Sequence, residues 1–200
     1  MKQFVFIDGE NFVHGLVHIL RSKKLIHSRD QLSRINMKTL LAEVCDTEDS
    51  NIRYYATRIQ LPPTTSELYL TVEKMRKWSA KWTPYLANQN VNFVKAGLLK
   101  ARSSKRCSHC KKRTEVLLEK GVDVRLGVDI AAPAEKGAVI HLFSSDSDLL
   151  PAIAVARNNG VKIIYLAFEG NENHAIRRAS NQMIIIKKSA VKKAYEEAKK

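Results

Sequence analysis

Acidic side chains are the residues of this chain best suited to chemistry, because they stand out against a formal net charge of +14. Five aspartates lie at or near the ends of apolar or amphipathic runs: Asp8, Asp123, Asp129, Asp146 and Asp148. Clustered carboxylates bind hard divalent cations such as Mg²⁺ and Mn²⁺, and a basic surface around them suits a polyanionic substrate. The pattern therefore predicts metal-assisted chemistry on a polymer that contains phosphate.

The elements that must position these acids alternate between short apolar runs and helical patterns. Strands are predicted over residues 3–7, 51–57, 91–98, 138–144, 161–168 and 183–187. Helices are predicted over residues 12–24, 37–45, 66–86, 122–132, 149–158, 172–179 and 189–200. Short apolar strands between helices are typical of a parallel sheet covered on both faces. The predicted fold class is α/β, with a central, mainly parallel sheet, in one domain over residues 1–200.

Two predicted strand ends and one helix start bring the acids to the same edge of this sheet. In open α/β sheets the site lies beyond the carboxyl ends of the strands, where Asp8 ends the first strand and Asp146 follows the fourth. The helix that carries Asp123 should run antiparallel to the fourth strand, so it starts at that edge. Asp129 lies about 120° around this helix and about 9 Å further along it, as a supporting acid or a solvated residue. The expected metal ligands are Asp8, Asp123, Asp146 and Asp148.

Two residues near the acids have a second interpretation as helix caps. Asn11 lies three residues after Asp8 and can orient a water or a ligand at the site, but it can equally cap the first helix. Asp148 can cap the helix that begins near Leu149 instead of binding a metal.

Composition narrows the class of protein and its compartment. No apolar run approaches the ~18 residues of a membrane span, and the N-terminus does not resemble a signal peptide. Three cysteines form no disulfide framework, which favours the cytoplasm. The positive charge favours nucleic acid as the partner, RNA or DNA, over an acidic protein or a membrane, and a homodimer stays possible.

Residues 100–113 interrupt the alternation with seven basic side chains and no acid. We expect an exposed, mobile insertion whose cations hold RNA phosphates: Lys105, Arg106, Lys111, Lys112 and Arg113. Cys107 and Cys110 have the spacing of half a zinc site, and the other half is missing. The alternatives to phosphate binding are a Zn²⁺ site completed by His141, Cys45 or a second subunit, and a solvated basic loop.

Two further basic segments have simpler interpretations. Trp78 and Trp82 form an i,i+4 pair among basic residues, where indoles can stack on unpaired bases. Packing of this pair against the sheet is the commoner arrangement and the one we expect. The basic helix predicted over residues 189–200 is expected to present a solvated face.

Three acidic segments together resemble the motifs of a known family. They read Phe6-Ile7-Asp8-Gly9-Glu10-Asn11-Phe12, then Glu119-Lys120-Gly121-Val122-Asp123-Val124, then Ser144-Ser145-Asp146-Ser147-Asp148-Leu149-Leu150-Pro151. In this order and spacing they resemble NYN domains, the LabA-like branch of the PIN-like ribonuclease superfamily. The resemblance implies a PIN-like Rossmannoid fold and RNA cleavage with Mg²⁺ or Mn²⁺ at Asp8, Asp123, Asp146 and Asp148, with Asn11 nearby. Ser145 stands where the family often has glycine and Leu149 where phenylalanine is common, but neither change removes an acid.

The sequence suggests three possible functions. The first is a metal-dependent ribonuclease. The second is a catalytically weak or inactive RNA-binding module of the same fold, against which the presence of all four acids argues. The third is a phosphatase on a Rossmannoid sheet, but such enzymes commonly carry Asp-x-Asp after the first strand, where this chain has Asp8-Gly9-Glu10.

Overall fold

A seven-stranded sheet forms the centre of the computed structural model, which describes residues 2–45, 50–104, 106–132 and 137–198. The strands in these ranges are β1 (Gln3–Asp8), β2 (Asn51–Ile59), β3 (Val91–Ser103), β4 (Glu115–Lys120), β5 (Val139–Phe143), β6 (Lys162–Phe168) and β7 (Gln182–Ile186). The helices are α1 (Gly9–Ser22), α2 (Met37–Leu41), α3 (Tyr69–Ala87), α4 (Val122–Ala131), α5 (Leu150–Asn158), α6 (His174–Ala179) and α7 (Lys188–Glu197). Short 3₁₀ turns cover Arg29–Gln31 and Ser147–Leu149.

The order of the strands across the sheet is β4-β3-β2-β1-β5-β6-β7. Neighbouring strands are parallel except β3 and β4, which pair antiparallel. The chain builds outward from β1 in both directions, so a topological switch point lies between β1 and β5. Ile7 pairs with Phe143, which places Asp8 beside the loop that follows β5. The predicted mainly parallel α/β sheet is confirmed.

Helices cover both faces of the sheet, as a parallel sheet requires. Successive residues of β1 enter different core clusters, since Ile7 belongs to one and Phe6 to the other. Helices α1, α2, α3 and α7 contribute to the cluster of Ile7, where Phe12 and Trp82 are buried. Helices α4, α5 and α6 contribute to the cluster of Phe6. In the described ranges, none of the helices is long and apolar enough to cross a membrane.

The antiparallel strand β4 is the element that the sequence prediction omitted. It pairs with the extended end of β3, with Leu98 opposite Lys120 and Ser103 opposite Glu115. Most side chains of β4 are exposed at this edge of the sheet, so it lacks the apolar run by which a buried parallel strand is identified. Residues 100–103 continue β3, and the predicted basic insertion corresponds to the far end of this hairpin.

Candidate active site

A cavity of about 410 Å³ lies at the carboxyl end of the central strands. Three of the predicted metal ligands line it, namely Asp8, Asp123 and Asp146. Asp8 ends β1, Asp146 follows β5, and Asp123 lies in the first turn of α4. The structure thus brings together acids that are up to 138 residues apart in the chain.

Asp8 is a buried acid whose carboxylate is held in one orientation. Only 4% of the residue is exposed, and its side chain caps α1 by accepting a hydrogen bond from Asn11 N. Asn11 Nδ2 and Ser144 Oγ donate to Asp8 Oδ2 at 2.5 and 3.0 Å. Burial raises the pKa of Asp8, and the hydrogen bonds from Asn11 and Ser144 oppose this rise. The cap of α1 is therefore Asp8 and not Asn11, which instead fixes the Asp8 carboxylate.

Gly9 allows α1 to begin directly against β2. A Cβ atom at this position would lie 2.6 Å from the carbonyl oxygen of Tyr55, which is closer than real Cβ atoms approach backbone. Tyr54 donates its hydroxyl hydrogen to the carbonyl oxygen of Gly9 at 3.1 Å, so the same turn is also tied to β2. The close packing of α1 against β2 therefore explains why glycine follows Asp8.

Two serines after β5 connect the acids of neighbouring strands, and sequence reasoning assigned neither of them a role. Ser144 Oγ donates to Asp8 and accepts a hydrogen bond from Asp146 N at 3.1 Å. Ser145 Oγ donates to Asn11 Oδ1. Glycine, which the family often has in place of Ser145, lacks the hydroxyl for this contact. The available signal was the run of hydroxyl residues between β5 and Asp146.

Asp146 and Asp148 occupy different positions at the cavity. Asp146 caps the 3₁₀ turn by accepting a hydrogen bond from Asp148 N at 2.9 Å. Asp148 does not cap α5 as the sequence suggested, because α5 has no side-chain cap and the turn before it is capped by Asp146. Asp148 is exposed and does not line the cavity, although its charge contributes to the raised pKa of Asp123. Its role as a metal ligand stays a prediction.

Asp123 experiences the combined charge of the other acids. Burial, followed by repulsion from Asp146, Glu119, Asp8 and Asp148, raises its pKa to about 6. Glu119 lines the cavity at the end of β4, and its Oε1 accepts a hydrogen bond from Val122 N at 3.4 Å. Sequence reasoning missed Glu119 as a site residue because its position depends on β4. The only signal was its place four residues before Asp123 in the second motif.

Asp129 supports the wall of the cavity from outside. Its side chain is 12% exposed and accepts hydrogen bonds from Tyr55 Oη at 2.8 Å and Arg125 Nε at 3.1 Å. Arg53 also pairs with it at 3.4 Å. Tyr55 lines the cavity, and Asp129 does not. Asp129 is therefore a largely buried partner of the cavity wall, rather than a solvated helix residue.

The chemistry of the cavity suits a hard divalent cation. Its acids offer only carboxylate oxygens, which Mg²⁺ and Mn²⁺ prefer, and the raised pKa of Asp123 records the repulsion that a cation would relieve. Within the described ranges, however, no group of three or more His, Cys, Asp or Glu side chains is placed closely enough to hold a metal. The donor set fits the cation, and the carboxylates would have to move together to bind it.

The basic hairpin end presents its side chains to solvent and does not line the cavity. The predicted phosphate and zinc residues in the described part of this segment are all exposed: Arg106, Cys107, Cys110, Lys111, Lys112 and Arg113. Cys107 N donates to Lys112 O, and Arg106 Nε donates to Lys111 O, both at 2.9 Å. Hydrogen bonds from the backbone of Cys110 and His109 lower the pKa of Cys107. Lys105 lies outside the described residues.

The raised pKa of Asp123 predicts a pH dependence of stability. In EDTA, the Asp123→Asn variant should gain stability over the wild type as the pH rises from about 4 to about 6. The reason is that the wild-type carboxyl has a pKa of about 6 when folded, whereas the ordinary pKa of an aspartate, which applies to the unfolded chain, is 3.8. Its stabilising contribution is therefore present below pH 3.8 and lost as the pH rises through 6. Urea unfolding of both proteins across this window measures the difference, and a difference independent of pH would contradict the prediction.

Comparison with known proteins yields one match. The family model described as NYN domain matches residues 2–187, which is nearly the whole chain. No curated protein and no solved structure matches the chain significantly. The matched range includes all five aspartates, Glu119 and the whole sheet.

Proposed function

Because the chain belongs to the NYN domain family, we propose that it is a ribonuclease that hydrolyses RNA phosphodiester bonds with Mg²⁺ or Mn²⁺. NYN domains form a PIN-like nuclease family, which gives the reaction class. The observation that supports activity in this chain is the cavity shared by Asp8, Asp123 and Asp146, where burial first and then the charges of the other acids raise the pKa of Asp123. We further propose that residues 1–200 act as one domain in the cytoplasm.

The acids would hold the cation, and the polar residues around them would fix the acids. Asp8, Asp123 and Asp146 would supply the oxygens, with Asp148 at the rim of the cavity and Asp129 as the supporting acid. When bound, a divalent cation activates a water and stabilises negative charge on the reacting phosphate. Asn11 and Ser144 hold the Asp8 carboxylate before the substrate arrives, so less reorganisation is needed during the reaction.

The basic hairpin end would bind the RNA backbone outside the cavity. Its cations in the described residues are exposed to solvent, where phosphates can reach them, and such contacts are independent of sequence and sensitive to salt. The proposed contacts are made by Lys105, Arg106, Lys111, Lys112 and Arg113. Hairpin strand β4 leads from these cations to Glu119 at the cavity, so bound RNA would lie along a path toward the acids.

A catalytically inactive RNA-binding module is the second candidate. It is favoured by the separation of the carboxylates, since no group of three or more in the described part of the chain is arranged to hold a metal. In this case the fold and the basic surface would bind RNA without hydrolysing it. Two further alternatives concern the ligands, namely DNA in place of RNA as the substrate and Zn²⁺ bound at Cys107 and Cys110.

The two candidates differ in their response to metal. The purified protein should cleave end-labelled single-stranded RNA in Mg²⁺ or Mn²⁺, and EDTA should slow cleavage by at least about 100-fold, since a catalytic cation contributes several kcal/mol. Labelled DNA of the same sequence is the parallel substrate. Binding of RNA that is equally tight in EDTA, without cleavage in either metal, would reject the ribonuclease and favour the binding module.

A further inference from the structure

The cavity is lined by aromatic and apolar side chains as well as by the acids. We call the aromatic and apolar set the aromatic wall, and it consists of Tyr54, Met75, Trp78, Trp82 and Phe93. The proposed hydrolysis of a phosphodiester uses only the acids. The aromatic wall therefore has no assigned role, yet it shares one cavity with Asp8, Asp123 and Asp146.

The two indoles of the aromatic wall have their polar groups already bonded within the protein. Trp78 Nε1 donates to Leu32 O at 2.8 Å, and Trp82 Nε1 donates to Tyr54 Oη at 3.3 Å. The indole rings stack with centroids 5.3 Å apart and an interplanar angle of 21°. Trp82 is buried at 1% exposure, whereas Trp78 is half-buried. Because Trp82 is almost fully buried, the exposed indole surface of the pair belongs to Trp78, which offers ring surface rather than a free hydrogen-bond donor to the cavity.

Arg29 adds a planar cation beside this surface. Its guanidinium carbon lies 4.8 Å from the centroid of the Trp78 ring. Two hydrogen bonds to the carboxylate of Glu10, at 2.6 and 3.0 Å, hold the guanidinium in place. Arg29 and Glu10 both line the cavity. Aromatic rings and guanidinium planes are the groups on which proteins stack unpaired bases of RNA.

We propose that the aromatic wall is a subsite for one unpaired nucleobase of the RNA strand whose phosphate reacts at the acids. The inference rests on the proposed ribonuclease function and adds the class of substrate to it. A base is the part of a nucleotide with an apolar planar face, and it lies within one nucleotide of the phosphate. The cavity volume of about 410 Å³ is that of a small-ligand pocket, which admits a single base and excludes a base-paired helix. The subsite therefore selects single-stranded RNA.

The chain itself supplies the probe for this subsite. It contains two tryptophans, Trp78 and Trp82, and both belong to the aromatic wall. In EDTA, which prevents cleavage, the protein is titrated with an intact RNA pentamer and with five pentamers that each lack one base. Binding is followed by the anisotropy of a terminal label and by intrinsic tryptophan fluorescence. The intact pentamer should change the tryptophan fluorescence, and removal of one particular base should weaken binding about 5- to 150-fold, the value of one stacked base.

Two variants show whether that base contacts the aromatic wall. Trp78→Leu should bind the intact and the abasic pentamers equally, because the stacking partner is gone. Trp82→Phe keeps an aromatic ring at the buried position and should retain the penalty for the missing base. Thermal unfolding confirms that both variants are folded.

The outcomes separate this inference from the proposed function. If all pentamers bind equally and leave the tryptophan fluorescence unchanged, the subsite is rejected, while the cleavage assay still stands as the test of the ribonuclease. A penalty that persists in Trp78→Leu would place the base elsewhere and also reject the subsite. If no RNA binds, the subsite and RNA as the substrate are both rejected.

Discussion

Replacing Asp146 with asparagine should slow RNA cleavage by at least about 100-fold while the fold stays intact. The loss follows from removing one anionic ligand of the cation that would stabilise charge on the reacting phosphate, since a single electrostatic partner of a transition state contributes a factor of about 10² to 10³. The fold should persist because the new amide side chain would keep an oxygen that accepts the hydrogen bond from Asp148 N, and asparagine caps helical turns as well as aspartate does. Initial rates with labelled RNA in Mg²⁺ or Mn²⁺, together with thermal unfolding in EDTA, measure both effects.

Asp129→Asn is the matched control for this variant, since it makes the same chemical change outside the cavity. Asp129 is paired with Arg53, Arg125 and Tyr55, so its loss should lower stability. Per folded molecule, however, its cleavage rate should fall by less than that of Asp146→Asn, because a residue that acts through another usually costs about 10- to 100-fold at most. Equal losses of cleavage in the two variants would contradict a direct role for Asp146.

The position of the acids was predictable from the sequence because it depends on sheet topology. Asp8 and Asp146 each follow an apolar run, and parallel strands place their carboxyl ends at one edge. The antiparallel direction of α4 relative to β5 then places Asp123 at that edge as well. Each step needs only the type and the order of the elements. None requires knowledge of how one side chain meets another.

The residues that sequence reasoning missed depend on contacts between distant segments. Glu119 reaches the cavity only because β4 pairs with β3 at an edge of the sheet, where exposed side chains leave no apolar pattern. Ser144 contacts Asp8 across 136 residues, and a hydroxyl has many local partners in any sequence. The capping of the 3₁₀ turn by Asp146 was missed for a similar reason, because two aspartates with one residue between them can each cap a turn in this loop.

For the tryptophan pair as well, the sequence predicted a local contact but not the contact between distant elements. The i,i+4 spacing in α3 correctly indicated that Trp78 and Trp82 share one helix face and pack together. It did not indicate that this face continues into the cavity of the acids, because that depends on how α3 lies on β2 and β3. If the proposed subsite is correct, packing and substrate binding, which the sequence presented as alternatives, are divided between the two residues of one pair.

Trp82→Ala should lower the free energy of unfolding by about 3–5 kcal/mol, the usual cost of removing a fully buried large aromatic side chain. Trp82 is 1% exposed, stacks on Trp78 and Tyr85, and donates to Tyr54, so its removal leaves a cavity between α3 and the sheet. Trp78→Ala should cost less, because the half-buried Trp78 ring already borders open space. Urea unfolding followed by circular dichroism measures both variants without relying on tryptophan fluorescence.

Similar losses in the two variants would mean that Trp78 is as much a core residue as Trp82. The aromatic wall would then be part of the packing between α3 and the sheet, with no indole surface left for a base.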